Sequence, residues 1–171
     1  MKNDNKYEIL DQLDLSAADE TDETFYACFD QQCFFNPING YISLTIEIDA
    51  KFKLSAADIK GKYFDLENQY NDIILQLEVL FKDKKINENN IDYNFFKSNF
   101  IPANIEMYFW DEPNPPKNIN ILFENKDNPI DAISILIFMD LFQPDPQGII
   151  FDFNLTKKEY DEKYSIKRKT E

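Results

Sequence analysis

The stretch "FMDLFQPDPQGIIFDFN", residues 138–154, places three carboxylates, Asp140, Asp145 and Asp152, among eight large apolar side chains. Two prolines and one of the chain's three glycines lie at its centre. Two chemistries use such a loop. A pair of acids can do general acid–base or nucleophilic work if their surroundings push their pKa values apart. A ring of oxygens can hold a hard cation such as calcium. The neighbouring residues argue against both. The alternating D-x-[DN]-x-[DN]-G calcium pattern is absent, and no His or Arg stands nearby to work with the three aspartates. "QPDPQG" instead has the Pro and Gly that a connecting turn needs. The expectation is a β-hairpin between two buried strands, with Asp145 at its exposed tip.

The wider inventory removes most other catalytic kits. The chain has no His, which excludes Ser-His-Asp and Cys-His catalysis and the commonest general base. Three glycines leave no room for a GxGxxG or Walker loop. The only arginine, Arg168, lies in a charged tail, so phosphoryl transfer lacks its usual cations. A zinc site needs about four Cys or His ligands, and only Cys28 and Cys33 are present. Two such thiols are expected to be reduced and buried. The acid and aromatics beside Cys28 would raise its pKa and make it a poor nucleophile. The reading is therefore a non-enzyme without cofactor or metal. A carboxylate-dependent hydrolase stays as an alternative, because 32 acids always offer some pair.

Charge points towards a partner. The net charge is −14 and the pI is near 4.4. Such a surface repels nucleic-acid backbones and anionic membranes, and its natural complement is a basic protein. Residues 1–50 hold 11 acids and 2 bases, and residues 101–150 hold 8 and 2, whereas 51–100 are neutral. The densest cluster is Asp19, Glu20, Asp22 and Glu23. A second, Asp111 and Glu112, directly follows the only tryptophan, Trp110. Tryptophan is enriched at interface hot spots. These residues, with Asp145, are the candidate partner-binding set. No apolar run follows Lys2 and no stretch reaches about 18 apolar residues, so the chain is expected to be soluble and cytoplasmic. The Lys-, Asn- and Ile-rich composition has the character of a low-GC microbe.

The elements that must position these residues can be read from periodicity. Residues 1–23 read as an acidic, loosely ordered start, 24–156 as one domain and 157–171 as a charged tail. Hydrophobic content of 43% with 16 Phe and 9 Tyr is enough for one sizeable core. "TFYACF" and "CFF" read as strand material. "YISLTIEID" is the cleanest strand: Ile42, Leu44, Ile46 and Ile48 face a core, and Tyr41, Ser43, Thr45 and Glu47 face solvent. Residues 54–85 carry a long helix, with Leu66, Tyr70, Ile73, Ile74, Leu77, Leu80 and Phe81 on one stripe and Asp65 as its cap. "IDYNFFKSNF" is ambiguous and adds at most a short helix. "NIEMYFW", "INILFEN" and "IIFDFN" are strands. "DAISILIFMDLF" reads as a central strand in preference to a helix, because Ile133, Ile135 and Ile137 are β-branched. The sum is an α+β domain: a mainly antiparallel sheet packed by one long amphipathic helix.

In plan and character, three stretches resemble the cytosolic immunity proteins of bacterial polymorphic or contact-dependent toxin systems. They are "NGYISLTIEID", "YFDLENQYNDIILQLEVLF" and "FQPDPQGIIFDF". The resemblance implies a monomer that binds one cognate toxin domain, such as a nuclease, through an acidic surface and blocks it. The competing binding reading is a phage- or plasmid-encoded nucleic-acid mimic, which would need carboxylates spaced along an extended face. The neutral middle third counts against that.

Overall fold

The computed structural model describes residues 6–13, 26–49, 54–83, 91–109, 118–129 and 131–152. A short helix α1 (Glu8–Asp11) precedes strand β1 (Tyr26–Phe35), a single turn of 3-10 helix (Asn36–Ile38) and strand β2 (Gly40–Asp49). The long helix α2 (Ala56–Phe81) and the short α3 (Tyr93–Asn99) follow. Four strands complete the order: β3 (Phe100–Phe109), β4 (Asn118–Asn125), β5 (Ala132–Phe138) and β6 (Gln143–Asp152).

The six strands form one sheet in the order β1-β2-β3-β4-β5-β6. Four neighbouring pairs are antiparallel and one, β2 with β3, is parallel. A parallel pair needs a long crossover, and the segment carrying α2 and α3 supplies it. The expected α+β domain with a mainly antiparallel sheet is therefore what the chain forms. No helix among the described residues is long and apolar enough to cross a membrane.

One face of the sheet is the core. Each strand contributes alternate apolar residues to it: Leu44 and Ile46, Ile105 and Met107, Ile119 and Ile121, Ile133 and Ile135. Against them α2 lays a stripe running from Ile59 through Tyr63, Leu66, Tyr70, Ile73 and Leu77 to Phe81. This recurrence every three to four residues is what a helix needs to bury one side. α3 closes one end, where Phe96 stacks on Phe81 at 4.9 Å and meets Phe123 edge-on at 5.1 Å. Tyr7 closes the other end, packing edge-on against Phe34 and Phe64.

Several expectations need correction. The helix begins about nine residues before Asp65. Ser55 is its N-cap and forms a capping box with Asp58, each side chain accepting from the other's backbone N–H. Residues 6–13, expected to be loosely docked, carry the fully buried Leu10 and tie Tyr7 to Glu67. Thr45 does not face open solvent but is buried at 4% exposure. Residues 26–29 of "TFYACF" and "CFF" belong to one continuous ten-residue strand.

The opening stretch forms a hairpin, but its turn lies elsewhere. Residues 139–142, "MDLF", make the reversal, with Phe142 in the left-handed region at φ 46°. That conformation is unfavourable for a bulky residue. Burial of the Phe142 ring beside the Lys62 ammonium offsets the cost. "QPDPQG" instead lies inside β6. Ile135 pairs with Ile149 and Ile137 with Pro144, so two steps along β5 match five along β6. Three extra residues bulge out of the ladder there. Proline supplies no N–H to a ladder and so suits a bulge.

Candidate functional site

The described helices bury their apolar residues against one face of the sheet, which leaves the other face to the alternate residues of each strand. On β3 these are Asn104, Glu106 and Tyr108; on β4, Asn118 and Asn120; on β5, Ser134 and Leu136. Pairing sets Glu106 beside Thr45 on one flank and Asn120 on the other. It also sets Glu47 beside Tyr108 and Tyr108 beside Asn118.

The side chains form a network. Glu106 accepts from the Tyr108 hydroxyl at 2.8 Å, from Asn120 Nδ2 at 2.7 Å and from Asn104 Nδ2 at 3.3 Å. Asn120 Oδ1 accepts from the Ser134 hydroxyl at 2.6 Å, across the β4/β5 diagonal. Its amide is thereby oriented from both ends. Such cross-strand bonds stiffen the plane. Glu47 shares the face. Its carboxyl has a raised pKa, first because it is partly buried and second because the Glu106 charge lies near. Among the described residues, two polar atoms of this face remain without a partner: Asn104 Oδ1 and Asn118 Oδ1, both buried. Both are acceptors.

Over the β6 bulge the face deepens into a cavity of about 260 Å³. Tyr108, Asn118, Asn120 and Ser134 form its polar side, and Leu136, Gly148 and Ile150 its apolar side. Gly148 lies so close to β5 that an added Cβ would stand 2.4 Å from Leu136 Cβ.

Of the residues expected to meet a partner, Asp19, Glu20, Asp22, Glu23, Trp110, Asp111 and Glu112 lie outside the described residues. Asp145 is described, but not at a hairpin tip. It sits part-buried in the bulge, and its Oδ1 accepts from Gln147 N–H at 2.9 Å, a local turn bond. Asp140 is in the hairpin turn, 3.8 Å from Lys62. Asp140 and Asp145 of the opening stretch thus serve separate local contacts. Cys33 is a free, buried thiol whose pKa is raised mainly by burial. Among the described residues, no group of three His, Cys, Asp or Glu is placed to hold a metal ion. The network on β3, β4 and β5 was not singled out from the sequence. Its signal was there, in the alternate positions of "NIEMYF" and "NINILF".

No protein-family model, curated protein or solved structure matches this chain. Its residues carry the argument alone.

Proposed function

We propose that this chain is an immunity-type inhibitor that binds a cognate, basic toxin domain and neutralises it in a one-to-one complex. The observation that carries the reading is the second face of the sheet. It is a hydrogen-bonded plane presenting Glu47 and Glu106, with no Lys or Arg among the described residues paired to either. A rigid plane with one sign of unmet demand suits recognition of a basic protein. The net charge of −14 adds a field that speeds the encounter. The acidic clusters at Asp19, Glu20, Asp22 and Glu23 and at Asp111 and Glu112, next to Trp110 in the sequence, lie outside the described residues and add to the acidity of the chain.

The test is co-expression with the toxin domain encoded by the neighbouring gene. Growth should be rescued against that toxin and not against unrelated ones, and the purified pair should elute as one complex. Charge reversal of either acidic cluster should slow association by about 10- to 1,000-fold at low salt while the thermal transition stays in place. Normal binding by both reversed proteins would show that the acidity serves solubility alone. Salt-dependent competition with DNA for several unrelated enzymes would favour the nucleic-acid mimic instead.

One observation supports the hydrolase alternative. Glu47 holds its proton more tightly than an ordinary glutamate, because it is partly buried and the Glu106 charge lies near, and a raised carboxyl pKa is what a general acid needs. Turnover by the purified chain that disappears in both Glu47→Gln and Glu106→Gln would establish that reading over inhibition.

A further inference from the structure

We propose that the cavity over the β6 bulge seats an arginine side chain of the protein partner. The inference rests on the binding reading above and names what that surface recognises.

Four observations on the molecule converge. Asn118 is 5% exposed, lines the cavity, and its Oδ1 has no hydrogen-bond partner. A buried acceptor left unmet is costly, so the site calls for a donor. Asn120 and Ser134, also on the wall, are fixed by their mutual bond and by the bond from Asn120 to Glu106. The acceptor's surroundings are therefore preorganised. Behind that wall stands the Glu106 carboxylate, whose three donors are all neutral, so its charge is not cancelled. Leu136, paired with Asn120, and Ile150, paired with Ser134, add apolar lining beside the polar residues, and Ile150 is 50% exposed.

A ligand that fits must be cationic at its tip, rich in donors, and apolar along its stem. It must also be small. About 260 Å³ falls below the roughly 300–1,000 Å³ of sites that enclose a free small molecule. One long side chain entering from a partner meets these demands. Of the two candidates, arginine fits better than lysine. Its planar guanidinium carries several donors in a fixed fork and lies flat on aromatic faces, and the Tyr108 ring is on the cavity wall. Lysine offers a compact, strongly hydrated charge that loses more on entering a mostly apolar pocket.

The experiment titrates the isotope-labelled full chain with N-acetyl-arginine amide and follows backbone amide resonances. Shifts should concentrate at Tyr108, Asn118, Asn120, Ser134, Gly148 and Ile150. The uncharged citrulline analogue should bind at least about tenfold more weakly, because charge-assisted hydrogen bonds are roughly twice as strong as neutral ones. The lysine analogue should also be weaker. Asn118→Leu should abolish the arginine shifts. Glu106→Gln keeps the shape and the acceptor but removes the charge, so it should weaken binding even if Asn118→Leu fails to fold. Equal binding of arginine and citrulline analogues, shifts dispersed over the surface, or an unaltered response in Glu106→Gln would each overturn the inference. The two readings separate cleanly. A partner that binds this chain while the arginine probe does not refutes the arginine seat alone. A probe that binds at the cavity in a chain that rescues no toxin refutes the immunity reading alone.

Discussion

Gly148→Ala is the substitution on which the description of the bulge stands or falls. The backbone at Gly148 is not in the left-handed region, so any cost comes from space and not from dihedral strain. An added Cβ would lie 2.4 Å from Leu136 Cβ, 3.2 Å from Leu136 Cδ2 and 3.3 Å from Asp145 Cβ. The second and third contacts are tight, and Leu136 Cδ2 can swing aside. The first cannot relax that way, because a Cβ is fixed to its strand. Carbon atoms prefer a separation of about 3.5–4.0 Å, so β5 and β6 would have to part by about 1 Å. Overpacking of this kind costs about 1–3 kcal/mol. In a chain of 171 residues each kcal/mol lowers the melting temperature by about 2–4 °C. The drop should therefore be about 2–12 °C, with a matching fall in the urea midpoint and an unchanged slope.

The same change at Gly61 is the control. Gly61 lies within α2, and an added Cβ there meets nothing within 4 Å. Gly61→Ala should stabilise by about 0.4–1 kcal/mol through helix propensity and a less flexible unfolded chain. The partner atom can be tested directly. In a Leu136→Gly background the obstructing Cβ is gone, so adding Gly148→Ala should cost only a few tenths of a kcal/mol. A Gly148→Ala protein as stable as the parent, or one whose cost persists undiminished without the Leu136 side chain, would refute the close approach of the bulge to β5.

Two further outcomes follow from buried polar groups. Tyr63 is fully buried and its hydroxyl donates to the Phe34 carbonyl at 2.9 Å, so Tyr63→Phe should cost about 1–3 kcal/mol in urea unfolding by stripping a buried acceptor of its main donor. Glu47 has a folded-state pKa raised by burial and by Glu106, so the fold binds its proton more tightly than the unfolded chain does. Its contribution is fully present below the ordinary glutamate pKa and is lost as pH rises through the folded value. Glu47→Gln should therefore gain stability on the parent between acid and neutral pH. A gap that shrinks on going from pH 4 to pH 7 would reverse the sign.

The core was legible because it depends on local period. "YISLTIEID" alternates cleanly, and Ile42 to Ile48 are buried as that alternation requires. The α2 stripe was legible from Leu66 onward, and the pairs Ile59 and Tyr63 that extend it towards Ser55 sit at the same spacing. The capping box is present in the sequence as "SAAD", well ahead of the Asp65 expected as the cap. The bulge was not legible. Proline and glycine mark a break in a ladder, and a turn and a bulge break it with the same residues. What decided between them was the tolerance of Phe142 for a left-handed backbone, which depends on burial of its ring against the assembled fold. The polar network was half legible. The alternate positions on β3, β4 and β5 name its members, but the bonds from Asn120 to Glu106 and from Ser134 to Asn120 depend on register between strands.

The second face of the sheet is polar in a chain otherwise rich in apolar residues. Alternate residues of equal hydrophobicity would have produced a wide apolar plane opposite the helices, and large apolar patches invite indiscriminate association. Amides, hydroxyls and carboxylates in their place must be satisfied or they cost stability. Here most satisfy each other: Tyr108, Asn104 and Asn120 converge on Glu106, and Ser134 closes on Asn120. The remainder is one-sided, two buried acceptors and two carboxylates that attract the same kind of group. Under the proposed reading, a partner bringing donors would be favoured over one bringing acceptors or a bare apolar surface. Discrimination built this way exceeds what an apolar pocket achieves, because the wrong partner is penalised as well as unrewarded. The three-residue bulge adds to this plane a recess of about 260 Å³, the proposed seat of a single side chain.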